Sequence, residues 1–414
     1  MWGKDFDGQT ERGLQDMRTW IEDAAVRYEA CNRSAIRWLI DRPSQSGFLN
    51  TKVNSLTGVD YDASSSGLRG PKFTYGWIQG RGLEALVTFA DFYQELNPVL
   101  SERISQRAEQ LFHGLSELYM RDGHTYFLYD EGLNPVIPVD DGVKPQTTAL
   151  SIFTYSDAFV AKGLVAAACR FDRENVTPFL DYLHNVITAI ENERFQMEEK
   201  RVLSVENARA EPDDFGPRMI LLGAAGLLHR CNHSDEAGFA NRFIDDVLAR
   251  YYDATTGLLL NVPKQEACNL GHGIEFCGFA FEHLARCPDD PRIKPLQAIL
   301  RRSLEIGLHG PGIALSISSK TGQANSPYYP WWQMPEAIRA TALGYKLTGD
   351  ISLINLWKKA DEAFFDNYWQ PNRSFAYQTR TMGGPVDYVP ATPDLDPGYH
   401  TGLSLLAAIR AIQD

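Results

Sequence analysis

Apolar residues recur at three- and four-residue spacing along most of the chain, the period of an amphipathic helix. This period predicts a first helix over 12–30, with Leu14, Met17, Trp20, Ile21 and Ala24 on one face, and a short second one over 34–40. From Asp41 to Thr74 the text turns to Gly, Ser, Pro and Asp, with a hairpin-like piece over 47–53. Helical pattern then returns in pairs: 77–94 with 99–121, 150–169 with 174–193, 217–231 with 235–251, 271–286 with 292–307, and 332–348 with 350–367. A last helix is predicted over 400–412.

Connections within a pair are short. Those between pairs are long and carry strand-like text, as in Thr125–Tyr129, Gly257–Asn261 and Ser374–Gln378. Such alternation is the signature of repeated helical hairpins. If the ring closes, the expected fold is all-α, an (α/α)6 barrel of six inner and about six outer helices. Its long loops and short hairpins gather at one rim, where inner-helix starts converge on a concave site. No linker or low-complexity tract interrupts the pattern, so one catalytic domain over 1–414 is expected. An open α-solenoid would show more uniform repeats and have no need of long loops on one side.

Composition narrows the partners more than the fold. The chain is 44% hydrophobic with a net charge of −13, which disfavours nucleic acid and anionic membranes. No apolar run reaches membrane-spanning length. The first residues, Met1–Asp7, lack a charged-then-apolar leader pattern. The six cysteines form no CxxC pair or regular framework, so a reduced, cytoplasmic setting is expected. The histidines show no His-x-x-x-His or cysteine–histidine spacing, so no structural zinc site is expected.

The six inner-helix starts hold the candidate chemistry. They carry Tyr75-Gly76-Trp77-Ile78-Gln79-Gly80-Arg81, Tyr155-Ser156-Asp157-Ala158-Phe159, Gly216-Pro217-Arg218-Met219, Asn269-Leu270-Gly271-His272-Gly273-Ile274-Glu275, Tyr328 through Glu336, and Pro397-Gly398-Tyr399-His400. His272 and Glu275 fall three residues apart on one face of a first turn, a placement suited to proton transfer. Aromatic rings with polar rims suit a sugar, which has apolar C–H faces and hydroxyl edges.

This ordered set resembles the N-acylglucosamine 2-epimerase superfamily, which includes cellobiose 2-epimerases and mannose and sulfoquinovose isomerases. The motifs are Gln79-Gly80-Arg81, Asp157-Ala158-Phe159, Leu270-Gly271-His272-Gly273-Ile274-Glu275 (leucine replacing a proline), Trp331-Trp332 with Glu336, and Tyr399-His400. They span roughly 70–412. The resemblance implies an (α/α)6 barrel and a carbohydrate epimerase or aldose–ketose isomerase. Such an enzyme takes a proton from sugar C2, passes through an enediolate and uses no cofactor. It implies His272 and His400 as the proton-transfer pair, with Glu275 tuning one imidazole. Arg81 would donate to the oxyanion or a hydroxyl. Trp332 and Tyr75 would stack on the sugar, while Trp331 turns to the core. Glu336 and Asp157 would bind hydroxyls or brace arginines, and Gln79 and Tyr399 would complete the site. Relatives are often dimers, so a homodimer is allowed.

The chain departs from the family pattern at three positions. Ile220 stands where a third histidine is common, Gly223 replaces a glutamate, and Leu403 replaces an arginine. Arg218 is the residue expected to compensate, or to meet an acidic group. Two other readings remain open on the same barrel. One is a glycoside or unsaturated-uronide hydrolase working through Asp157, Asp213 or Asp214. The other is a non-catalytic sugar-binding protein.

Overall fold

The computed structural model describes residues 4–44, 46–148, 151–388 and 391–413, with side chains from residue 15 onward. A long helix, α1 (Lys4–Asp41), is followed by the pairs α2 (Gly76–Leu96) with α3 (Pro98–Asp122), and α4 (Tyr155–Phe171) with α5 (Thr177–Glu191). After a single-turn α6 (Val205–Ala210) come α7 (Gly216–Arg230) with α8 (Phe239–Arg250), α9 (Leu270–Leu284) with α10 (Ile293–Gly307), and α11 (Gln333–Thr348) with α12 (Ser352–Asn367). The last is α13 (Ser404–Gln413). Among the described residues, α2, α4, α7, α9, α11 and α13 each pack on the next, and the turn before α13 packs back on α2. The ring therefore closes: this is an all-α, (α/α)6 barrel.

Burial follows the layer. The outer helix α10 buries Leu296, Ile299, Leu300 and Leu304 on one stripe, whereas the inner α4 is buried almost continuously from Ser156 to Ala168. Each fully buried leucine contributes about 1.5–3 kcal/mol. One apolar core runs through both layers. The two inner helices α2 and α4 approach through glycine: a Cβ on Gly80 would lie 2.6 Å from the Val160 backbone nitrogen, and one on Gly163 would lie 2.7 Å from the Gly80 carbonyl oxygen. That approach sets where Arg81, one residue along, enters the barrel.

Three local differences from the sequence pattern have physical causes. The predicted helices over 12–30 and 34–40 form one helix, because no glycine or proline separates them and Tyr28, Cys31, Ile36 and Leu39 keep it seated in the core. Arg42-Pro43 then ends it. The start expected at residue 150 lies outside the described residues. The helix itself begins at Tyr155, where Thr154 and Asp157 form a reciprocal capping box. The stretch 47–53 is an extended strap across the barrel mouth rather than a regular hairpin, with isolated bridge residues at Phe48 and at Val53, which pairs with Asp60.

Long loops precede the inner helices and lie at one rim; short turns close the other. Strand pieces in those loops are two to five residues long, as at Leu258–Leu259, and serve to fold the loops back. No described helix is long and apolar enough to cross a membrane.

The glycine contact gives a stability prediction. Gly163→Ala is expected to lower the unfolding free energy by about 1–3 kcal/mol through overpacking. Gly238→Ala, where a Cβ meets nothing within 4 Å, should change it by less than about 0.5 kcal/mol. Urea unfolding midpoints of the two variants check this.

Candidate active site

At the loop-bearing rim the inner-helix starts enclose a cavity of about 270 Å³, walled by Trp77, Arg81, Phe159, Ile220, His272, Glu275, Trp332 and His400 among others. Two imidazoles reach it from different helices and pack on the same indole. The ring centroids of His272 and Trp332 are 5.7 Å apart, and those of His400 and Trp332 are 5.4 Å apart. Trp332 fits there because Gly271 has no side chain; a Cβ at that position would lie 2.6 Å from the indole edge.

His400 sits in a π-helical turn, Tyr399–Leu403, of a kind common at functional sites. Gly398, at φ 90°, reverses the chain into it. Asp396 holds the turn by accepting from the backbone N–H groups of Tyr399, His400 and Thr401. Nδ1 of His400 lies 2.9 Å from Glu336 Oε1 and 4.0 Å from Glu275 Oε1. The other Glu336 oxygen forms an ion pair with Arg339 at 2.9 Å. Burial alone would raise Glu336, but Arg339 and His400 outweigh it and hold its carboxyl below the usual range. Burial first, then the Arg81 charge, keep His400 below the ordinary imidazole value against the pull of Glu336. Burial and the neighbouring Glu336 push Glu275 up to about 8. The two carboxyl groups of this tight pair are thus pushed in opposite directions, Glu275 up and Glu336 down.

His272 stands in a different setting. Its Nδ1 is 2.9 Å from Asn261 Nδ2, and Asn261 Oδ1 accepts the Asn269 backbone N–H at 2.7 Å. Burial brings its imidazole down to about 4. Arg81 is buried among rings, its Cζ 4.1 Å from the centroid of Phe159, 4.8 Å from Trp77 and 5.3 Å from Tyr399. Among the described residues its Nε has no hydrogen-bond partner, and neither does the indole Nε1 of Trp77. Both are buried donors beside the cavity, left for a ligand or water to satisfy.

Several expected site residues are elsewhere. Tyr75 turns away from the cavity, donating to the Leu68 carbonyl within an apolar cluster; Trp77, two residues on, takes the wall, since positions i and i+2 do not face the same way. Gln79 clamps the strap by bonding both the N–H and the carbonyl of Leu49. Asp157 is committed to capping α4 and to the Thr125 N–H and Tyr182 hydroxyl. Arg218 pairs with Asp246 at 2.7 Å on the outer side of the barrel. Glu336 and Tyr399 stand one layer behind the cavity, Tyr399 accepting from Lys162 Nζ at 2.6 Å. Trp331 is buried as expected, yet it also borders the cavity and donates to Thr401. Among the hydrolase candidates, Asp213 bonds Tyr251 and pairs with Arg250, while Asp214 accepts the Gly216 N–H; neither lines the cavity.

Sequence reading missed Asn261, Lys162 and Arg339. Asn261 was visible only as the end of a strand-like run. Lys162 and Arg339 lie mid-helix in otherwise apolar text, and a charge in the middle of an inner helix was the available signal. Lys162 is completely buried, with an ion pair to Glu84 at 3.1 Å. Gly223 leaves room for it: a Cβ there would lie 3.3 Å from the ammonium nitrogen. Ile220 contributes apolar wall to the cavity, and Leu403 lies deeper, in a second cavity beside Arg339 and Tyr399.

Glu275, Glu336 and His400 present ligand atoms within 4.8 Å of one another, close enough to surround a metal ion. The environment does not suit one. Glu336 is already shared between His400 and Arg339, and Arg81 and Arg339 add positive charge beside the cluster.

The buried His272 makes stability pH-dependent. Its folded-state value lies below its unfolded one, so the unfolded chain takes up a proton first as pH falls. Its contribution is complete above pH 6.5 and is lost towards about pH 4. Because the ring edges a solvent-open cavity, the expected loss is about 1–2 kcal/mol. In His272→Gln this part of the slope should disappear, as denaturation at pH 7, 6, 5 and 4.5 would show.

No family model matches the chain, and no curated protein matches it by sequence. Solved structures do match by fold. Cellobiose 2-epimerase from Bacillus thermoamylovorans B4167 superposes with a TM-score of 0.71 at 17% identity, over 93% of this chain and 98% of that one. A D-mannose isomerase gives 0.68 at 13% identity, over 93% and 97%. A possible GH105 family member from Salmonella enterica serovar Paratyphi A gives 0.54 at 12%, over 93% and 94%. Over nearly its whole length, then, this chain has the fold of sugar epimerases and a sugar isomerase, and more distantly that of a glycosidase family.

Proposed function

We propose that the protein is a carbohydrate isomerase acting at C2 of an aldose, by proton transfer through an enediolate. The observation that carries this reading is the pair of imidazoles on Trp332, both held uncharged near neutrality, with the Arg81 guanidinium buried beside them.

Glu336 holds the Nδ1 side of His400, which leaves Nε2 as the nitrogen that can take a proton. A neutral imidazole oriented by a carboxylate is a competent general base at pH 7. As C2 loses its proton, charge gathers on the sugar oxygens. Arg81 and the Nε2 side of His272 are the donors that would meet it, in a site where low dielectric strengthens each bond. Trp332 and Trp77 give the cavity an aromatic wall for the C–H side of a pyranose or open-chain sugar. The fold likeness to a cellobiose 2-epimerase and a D-mannose isomerase supports the same class and makes cellobiose and D-mannose the first sugars to test. Carboxylate hydrolysis fits less well, because Glu336 is taken up by His400 and Arg339 behind the cavity and Asp157, Asp213 and Asp214 are committed elsewhere, which leaves no facing pair of carboxylates of the kind glycosidases use among the described residues.

Aldoses incubated with the enzyme in deuterated water should exchange the C2 proton, visible by NMR. His400→Ala and His272→Ala should each slow exchange by about 100- to 10,000-fold, with far-UV circular dichroism unchanged. Full exchange in both variants would refute the proposal.

A further inference from the structure

The two imidazoles are wired with opposite polarity, and the difference bears on which product forms. Asn261 is fixed at both ends of its side chain. Its Oδ1 accepts the Asn269 N–H at 2.7 Å, so its amide NH2 faces His272 Nδ1 at 2.9 Å. Asn261 is itself anchored, because its carbonyl accepts the Phe215 N–H at the start of α7. An amide donor on Nδ1 requires a lone pair there and places the His272 proton on Nε2. His400 is the reverse: a carboxylate on Nδ1 keeps the proton there and the lone pair on Nε2.

We infer that this is a one-base site. His400 alone moves the carbon-bound proton, His272 acts only as a neutral hydrogen-bond donor to oxygen, and the product is therefore a ketose rather than the C2 epimer. Asn261 is the positioning residue that enforces this. The inference rests on the proposed function and narrows it.

The steps balance without an added reagent. His400 Nε2 takes the C2 proton. The C–H electron pair becomes the C1–C2 double bond, and the carbonyl pair moves to O1, steadied by His272 Nε2–H and Arg81. The O2 hydroxyl proton passes to O1, and the proton on His400 returns to C1 as the C2 carbonyl forms. Inverting C2 instead needs an acid on the opposite face. A neutral His272 giving its Nε2 proton to carbon would be left as an imidazolate. It cannot first become an imidazolium, because the amide of Asn261 occupies Nδ1 with a donor. Its other neighbours, Trp332 and Phe215, are rings without charge. Of the carboxyl groups lining the cavity, Asp394 is paired with Lys52, Asp396 is taken up by the backbone N–H groups of the π-helical turn, and Glu275 lies 4.0 Å from His400, on that imidazole's side. Tyr155 points its hydroxyl at the start of α7, beside Asp214. A neutral imidazole acting as an electrophile in sugar-phosphate isomerisation follows the same physical logic.

The test uses D-mannose, D-glucose, D-lyxose and cellobiose, each deuterated at C2, in ordinary water with the intact enzyme. NMR is read at early conversion. The expected first product is the ketose, with part of the deuterium carried to C1 and the C2 epimer below about one part in a hundred. An epimer forming as fast as the ketose would overturn the one-base assignment while leaving the C2-isomerase reading standing. If none of the four sugars loses its C2 label, that reading fails and this inference falls with it.

A second measurement does not depend on turnover. With 15N-histidine labelling, the resonances that vanish in His272→Gln should show an unprotonated Nδ1 and a protonated Nε2 throughout pH 5.5–8. In Asn261→Asp the carboxylate should reverse that tautomer, and the epimer share should rise about tenfold. A protonated Nδ1 in the unmodified protein would overturn the assignment, as would an unchanged His272 spectrum in a folded Asn261→Asp variant.

Discussion

Inside the barrel, Glu84 meets Lys162 and Glu336 meets Arg339 as ion pairs almost cut off from water. Removing one partner from such a pair typically costs about 3–5 kcal/mol, because the other charge is left buried and alone. This constraint reaches well beyond the pairs. Tyr399 is tied to Lys162, His400 to Glu336, and Arg81 is stacked against Tyr399. The charges on α2, α4 and α11 and the turn before α13 thus hold one another in register across the barrel axis. Gly223 borders the same set: a Cβ there would meet the Phe279 ring at 2.9 Å and the Lys162 ammonium at 3.3 Å.

The rim loops complete what the axis begins. Asp394 accepts from Thr51 and Lys52, and the Leu395 N–H donates to the Thr51 carbonyl. The strap before α2 and the loop before α13 are therefore sewn together over the cavity, and Gln79 clamps the strap from below. On the other side, Asn261 joins the starts of α7 and α9. These contacts are polar and local, yet they set the orientation of both imidazoles. A barrel of rigid inner helices supplies position, and loop hydrogen bonds supply the proton inventory at each ring.

The layered helical pattern and the ring of glycine-marked helix starts were legible in the chain, because hydrophobic period and capping chemistry are local properties. Two histidines and an arginine at inner-helix starts could be singled out for the same reason: the fold class brings such starts to one rim. His272, His400, Arg81, Glu275 and Trp332 do meet there. Neighbouring motif letters did not sort themselves as well. Tyr75 and Trp77 are two residues apart, and only the direction of each side chain decides which faces the cavity. Asp157 reads as a site carboxylate until the helix is seen to start at Tyr155, which makes it a cap.

What the sequence alone determined, then, is the repeat, the layers and the types of residue delivered to the rim, all of which follow from spacing along one helix. What only the tertiary structure decided is pairing. Lys162 with Glu84, Arg339 with Glu336 and Asn261 with His272 join residues on different elements, and no local pattern encodes which buried charge will answer which. The protonation pattern of the two imidazoles is of this kind. It depends on whether a donor or an acceptor stands behind Nδ1, and the partner that decides it lies 11 residues away for His272 and 64 for His400.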